Sequence, residues 1–259
     1  NGTDALVMAL MALGVKAGDA VLCPSFTFAA TAEAVAILGA VPVFIDIDEH
    51  SYNISLDSVK DAYNVAKAQG LKTVGLISVD LFGLCVDYDS LEGFTKENGL
   101  WLLADAAQSM GAEFQGKKIG NYGDVTTTSF FPAKPLGCYG DGGAIFTEND
   151  ELADKMRSIR VHGKGSDKYD NVRLGVNGRL DTLQAAILLE KQKIFADEIE
   201  KRNHVSAYYN KHLSDVIQTP IIPDNGTCVW AQYTLQTKDG AERTKVQARL
   251  KDSGVPSAV

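Results

Sequence analysis

An α/β fold built on a mostly parallel sheet is what this sequence predicts, and three observations predict it. The first two-thirds of the chain alternates short apolar runs with amphipathic stretches. The runs are apolar at successive positions, as strands covered on both faces must be. The stretches between them carry apolar residues at helical spacing, as crossover helices over a sheet do. Strands are expected at 20–23, 43–47, 74–79, 100–104, 125–130 and 144–147, and helices at 5–13, 31–38, 56–67 and 88–97. In such sheets ligands bind beyond the carboxyl ends of the strands, so polar residues just after strands carry the functional interest.

The last third changes character. From Arg179 one long helical pattern runs through Leu183, Ile187, Phe195 and Ile199 toward Leu213. Pro220 and Pro223 interrupt the chain, 229–237 reads as a strand, 244–250 as a helix, and Gly254-Val255-Pro256 as a turn. One strand and one helix cannot close a layer of their own. Residues 1–195 are therefore expected to form a large α/β domain, and 196–259 the start of a small C-terminal α+β domain. The abrupt opening on Asn1-Gly2-Thr3 and the stop at Val259 are read as the ends of a fragment of a longer chain.

Composition narrows the function. With 45% hydrophobic residues in 259, the chain has enough apolar material for a sizeable core. Its 25 Lys and Arg against 33 Asp and Glu give a net charge of -8, which argues against a duplex nucleic-acid partner that needs a basic face. No stretch approaches the about 18 consecutive apolar residues of a membrane span, and the N-terminus lacks the order of a signal peptide. A cytoplasmic protein is expected. Cys23, Cys85, Cys138 and Cys228 are widely spaced with no C-x-x-C pair, and read as small buried thiols rather than metal ligands.

Three stretches could carry chemistry. Gly2-Thr3-Asp4-Ala5-Leu6 opens a helix, where free N–H groups and a Thr hydroxyl make either an anion site or a plain N-cap. Asp105 ends the apolar run Leu102-Leu103-Ala104, and a carboxylate there either meets a cation, such as a protonated pyridine nitrogen, or caps the next turn. Lys134 lies in Ser129-Phe130-Phe131-Pro132-Ala133-Lys134-Pro135-Leu136-Gly137, just after a strand and before Gly140, Gly142 and Gly143. A lysine fixed there is suited to Schiff-base chemistry, the alternative being a solvated loop lysine. Two look-alikes fail. Gly111 to Lys118 resembles a phosphate-binding loop but lacks its Ser or Thr and its helix, and reads better as a hairpin. Gly137-Cys138-Tyr139-Gly140 runs into a strand, not the helix of a dinucleotide site.

Taken together these stretches resemble the sugar aminotransferases of the DegT/DnrJ/StrS family, over essentially the whole chain. The resemblance also draws on Pro24-Ser25-Phe26-Thr27-Phe28, Asp105-Ala106-Ala107-Gln108, Gly140-Asp141-Gly142-Gly143-Ala144 and Asn177-Gly178-Arg179-Leu180. It implies the aspartate-aminotransferase type of fold (fold type I), with a mostly parallel seven-stranded sheet between helices. The run from Ser129 to Gly140 is most similar to members that aminate a 3-keto UDP-uronic acid for surface polysaccharides, lipopolysaccharide included.

The resemblance implies roles residue by residue. Lys134 would carry pyridoxal 5'-phosphate covalently and move the proton, and Asp105 would keep the pyridine nitrogen protonated. Phe28 would stack on the ring and Gln108 lie near its hydroxyl. Gly2, Thr3, the backbone at Asp4, and Ser129 would hold the phosphate, with Asn177 reaching it from the partner subunit of a homodimer. Arg179 would clamp a sugar carboxylate. The implied substrates are a nucleotide-linked keto sugar and glutamate as the amino donor. Family chains begin before the Gly-Thr motif and continue past the Gly-Val-Pro turn. Two other readings are weighed: a sugar dehydratase using the same cofactor, where His replaces the lysine and Lys134 speaks against it, and a cofactor-binding regulatory protein without turnover.

Overall fold

A computed structural model of the chain describes residues 1–167 and 169–259. In chain order the elements are α1 (Gly2–Ala12), β1 (Asp19–Pro24), α2 (Ala30–Ile37), β2 (Val41–Ile45), α3 (Leu56–Ala68), β3 (Lys72–Val79), α4 (Tyr88–Glu97) and β4 (Trp101–Asp105). There follow β5 (Glu113–Phe114), β6 (Lys117–Lys118), β7 (Val125–Ser129), β8 (Gly143–Phe146), α5 (Asp150–Ile159), α6 (Thr182–Gln192), α7 (Phe195–Leu213) and α8 (Gly240–Asp252).

The main sheet has the order β2-β1-β3-β4-β7-β8. Its strands pair in parallel except β8, which runs antiparallel to β7. Strand alternation splits the core into two layers. Leu22, Leu76 and Leu102 face one layer with Val59 of α3 and Tyr88, Leu91 and Phe94 of α4. Val21, Ile77 and Leu103 face the other with Leu6, Ala9 and Leu10 of α1, Val35 of α2 and Met156 of α5. Each such aliphatic side chain contributes about 1.5–3 kcal/mol over leaving it exposed. The α/β/α sandwich follows, because both faces of every central strand need a cover.

The six strands read from apolar runs all form. The seventh that the resemblance implied is not among the described residues: the remaining extended pieces are the two-residue β5 and β6, which pair only with each other. They form the hairpin expected at Gly111 to Lys118, turned by Gln115 and Gly116 in the left-handed region (φ 48° and 75°). The single long helix expected from Arg179 is two helices. Bonds from Lys193 N–H to the Glu190 carbonyl and from Ile194 N–H to the Lys191 carbonyl tighten the chain between α6 and α7. Phe195 of α7 then packs with Leu188 of α6 against Phe130, Leu136 and Cys138.

The strand expected at 229–237 does not form. Trp230 takes φ 53°, which ends the extension, and only isolated bridges such as Leu84 to Cys228 and Gln218 to Gln236 remain. Helix α5 was not expected, although Asn149, whose side chain accepts from Leu152 N–H, and the acidic first turn Asp150-Glu151 are start signals visible in the sequence. The four cysteines are buried and unpaired, as expected. Among the described residues no helix is long and apolar enough to cross a membrane, and no group of three or more His, Cys, Asp or Glu is placed to hold a metal ion.

Candidate active site

Lys134 sits on the turn that leaves β7. Its N–H donates to the Phe131 carbonyl (2.8 Å), and Cys138 N–H donates back to the Phe130 carbonyl (2.8 Å). The loop closes over itself at Gly137, where a Cβ would lie 2.5 Å from the Pro132 carbonyl oxygen; only glycine permits that approach. Helix α6 pins the same loop from outside. Lys191 Nζ donates to the Gly137 carbonyl (2.5 Å), and Gln184 Oε1 accepts from Tyr139 N–H (2.9 Å). The lysine is thus presented on a fixed support, half-buried.

Facing it is Asp105, the last residue of β4, 5% exposed. Ala107 N–H donates to its Oδ1 (3.2 Å) and the Thr31 hydroxyl to its Oδ2 (3.0 Å). Burial pushes its carboxyl above the usual range, opposed by the Ala107 amide, the Thr31 hydroxyl and the Lys134 charge. Burial likewise lowers the Lys134 ammonium, opposed by Asp105. The two groups act on each other through charge, without a direct hydrogen bond. That leaves an amine easier to deprotonate beside a buried carboxylate.

The start of α1 meets the end of β7. A Cβ on Gly2 would lie 2.8 Å from Ser129 Cβ, so the helix N-terminus is pressed onto that serine. Asn1 caps the helix, its Oδ1 accepting from Asp4 N–H (2.8 Å). The Asp4 amide is therefore engaged, while the N–H groups of Gly2 and Thr3 have no carbonyl within the helix to bond. Free amides at a helix N-terminus beside two hydroxyls make an anion cradle.

The remaining expected residues surround this centre unevenly. Phe28 is 71% exposed, a flat apolar ring facing solvent on the loop between β1 and α2. Gln108 Oε1 accepts from Phe82 N–H (2.5 Å), which fixes its amide so that the NH2 end is the free donor. Phe82, at φ 59°, belongs to an aromatic group with Phe26 and Tyr52, ring centroids 5.5–6.2 Å apart. Asn177 and Arg179 are exposed and bonded to each other, Arg179 Nε donating to Asn177 Oδ1 (2.8 Å). Their loop packs on α1, where a Cβ on Gly178 would meet Met8 Sδ, and neither side chain bonds Lys134 or Asp105.

Two residues at the centre were not singled out from sequence. Thr31 opens the buried face of α2, and nothing local marks its reach to Asp105. Asp80 carried the same signal as Asp105, a carboxylate just after an apolar strand. It is fully buried and accepts from Val86 N–H (2.9 Å), the Tyr88 hydroxyl (2.9 Å) and the Ser109 hydroxyl (2.6 Å).

A buried carboxylate opposite a partly buried lysine, an anion cradle and an exposed ring fit a phosphorylated pyridine aldehyde in charge and kind. Comparison with known proteins agrees. Residues 1–259 match the profile of the DegT/DnrJ/EryC1/StrS aminotransferase family. The UDP-2-acetamido-2-deoxy-3-oxo-D-glucuronate aminotransferase of Pseudomonas aeruginosa is 50% identical over 260 residues, covering 100% of this chain and 70% of that protein. A DegT DnrJ EryC1 StrS aminotransferase from Brucella abortus superposes with a TM-score of 0.97 at 48% identity, over 100% of this chain and 69% of that one. NtdA from Bacillus subtilis, solved with bound cofactor PMP, gives a TM-score of 0.88 at 31% identity, over 97% and 57%. The chain belongs to the DegT/DnrJ/EryC1/StrS aminotransferase family.

Proposed function

We propose that this chain transfers an amino group, with pyridoxal phosphate as cofactor, from glutamate to a keto group of a nucleotide-linked sugar, in particular a UDP-3-keto-uronic acid. The observation that carries the reading is the opposition of Lys134 and Asp105 beside the α1 N-terminus. The half-identity to the Pseudomonas aeruginosa enzyme supports the substrate class, and the PMP bound by NtdA supports the cofactor.

Bound in this site, the cofactor supplies an aldehyde carbon and an electron-withdrawing ring. Lys134 would hold it through Nζ and, as a free amine, would take and return the substrate proton; its lowered pKa suits both tasks. Asp105 holds a proton on the ring nitrogen. The Gly2 and Thr3 amides, with the Thr3 and Ser129 hydroxyls and the backbone at Asp4, would hold the phosphate. Phe28 would stack on the cofactor's ring, and the Gln108 NH2 group would be the donor for its hydroxyl. Asn177 reaches the phosphate of a neighbouring subunit, and Arg179 takes the uronic carboxylate as a planar bidentate pair. Residues 1–195 are the cofactor domain and 196–259 belong to a second. The setting is cytoplasmic, and the product feeds surface polysaccharide.

The test is 2-oxoglutarate formation from glutamate across a panel of UDP- and dTDP-keto sugars. Formation with a UDP-3-keto-uronic acid is expected; cofactor binding without turnover on any keto sugar would refute the activity. For the shared site, Asn177→Asp and Lys134→Ala should each be nearly inactive alone. Mixed after subunit exchange, they should recover activity from the one site in each heterodimer that keeps both native residues.

A further inference from the structure

We infer that Thr31 is a positioning residue for Asp105, holding one carboxylate oxygen through a directed line of hydroxyls that begins at Thr27. The inference rests on the reading that Asp105 faces the cofactor's ring nitrogen. Thr31 is 1% exposed and 74 residues from Asp105 in sequence, yet its Oγ1 lies 3.0 Å from Oδ2. Thr27 Oγ1 lies 3.2 Å from Thr31 Oγ1.

A hydroxyl has one proton and an ionised carboxylate only accepts. Thr31 must therefore spend its proton on Asp105, and its oxygen is free to accept from Thr27. With Ala107 N–H on Oδ1 (3.2 Å), each oxygen of the carboxylate is held by one fixed donor. One lone pair on each oxygen stays available, and the carboxylate plane cannot turn. The Lys134 charge acts on this carboxylate, and the Asp105 charge in turn raises Asp80. Two donors favour the ionised form of Asp105, the form that would keep a proton on the cofactor's ring nitrogen.

Thr31→Val keeps the shape and removes the donor. The full chain is loaded with pyridoxal phosphate carrying ¹⁵N in the ring, and the ring-nitrogen chemical shift is compared among the parent, Thr31→Val, Thr31→Ser and Asp105→Asn. In Thr31→Val the shift should move toward that of the unprotonated ring, with kcat lower by ~10- to 100-fold, the weight of a hydrogen bond to a charged group. KM for both substrates should stay close to the parent value. Thr31→Ser should restore both shift and kcat. If Thr31→Val fails to fold, Thr27→Val should give the same displacement, smaller, since it removes only the second member of the line.

An unchanged shift in Thr31→Val beside a changed one in Asp105→Asn would overturn the role of Thr31 alone. An unchanged shift in both would overturn the placement of Asp105 on which it rests. Equal losses in the Val and Ser variants, with no shift change, would make Thr31 a packing residue and refute the inference.

Discussion

Asp80 and Asp105 make an instructive pair. Both follow apolar runs of neighbouring parallel strands, and the Asp80 N–H donates to the Asp105 carbonyl (3.2 Å). Their environments then part. Asp80 takes an amide and two hydroxyls and, among the described residues, meets no cation. Burial pushes its carboxyl up to about 6, with those three donors opposing and the Asp105 charge adding to it. Asp105 takes one amide and one hydroxyl, and its remaining capacity faces Lys134. The first carboxylate ties the turn after β3 to the start of α4 and to Ser109. The second is held but left able to bind. Burial makes either carboxylate costly; what distinguishes a binding group is the valence its neighbours leave open.

Substitutions can break that contrast. The largest effect belongs to Asp105→Asn: kcat should fall by about 10²- to 10³-fold, the cost of one lost preorganised charge, in a protein that still folds and binds cofactor. Steady-state rates on the loaded enzyme check it. A near-parent kcat would place Asp105 with Asp80 as a structural carboxylate.

Asp80→Asn should act on stability instead. Its folded pKa lies above the ordinary 3.8, so the folded chain holds the proton more tightly than the unfolded one. Stability from this group is fully present below about pH 4 and is lost as pH rises through 6. The stability of the parent relative to Asp80→Asn should therefore fall by about 3 kcal/mol between pH 4 and 7, read from urea midpoints. The Tyr88 and Ser109 hydroxyls can turn to accept from the new amide, and kcat should stay close to the parent value.

The smallest effect is expected from Ser109→Ala, which removes one of three donors at 2.6 Å. A loss of about 1–2 kcal/mol in thermal or urea unfolding, with turnover kept, is the expected result. A fall in kcat matching that of Asp105→Asn would dissolve the distinction between the two carboxylates.

Much of this was legible in the chain. Apolar runs such as Leu102-Leu103-Ala104 dictate buried strands, because both of their faces gain by being covered, and the strand ends mark where Asp105 and Lys134 emerge. Asp80 shows the limit of that signal. The pattern locates a carboxylate at a strand end and says nothing of its donors: Thr31 for Asp105, and Tyr88 and Ser109 for Asp80, arrive only once helices and the turn after β4 pack on the sheet. The 229–237 stretch fails for a related reason: β-prone residues need a neighbour to pair with, and Val229 N–H finds only the Gly83 carbonyl while Trp230 turns away. The pressing of Gly2 onto Ser129 is likewise invisible in sequence, since 127 residues separate them and only the sheet brings α1 to the end of β7.

The central claim is that Lys134, opposite Asp105, is the amine that carries the cofactor. It is tested most directly by incubating the purified chain with pyridoxal phosphate, reducing with borohydride, and mapping the modified lysine by peptide mass. Loss of the visible absorption band and a cofactor-sized mass increment on the peptide containing Lys134, absent in Lys134→Ala, are expected. An increment on another lysine, with Lys134 unmodified, would contradict it.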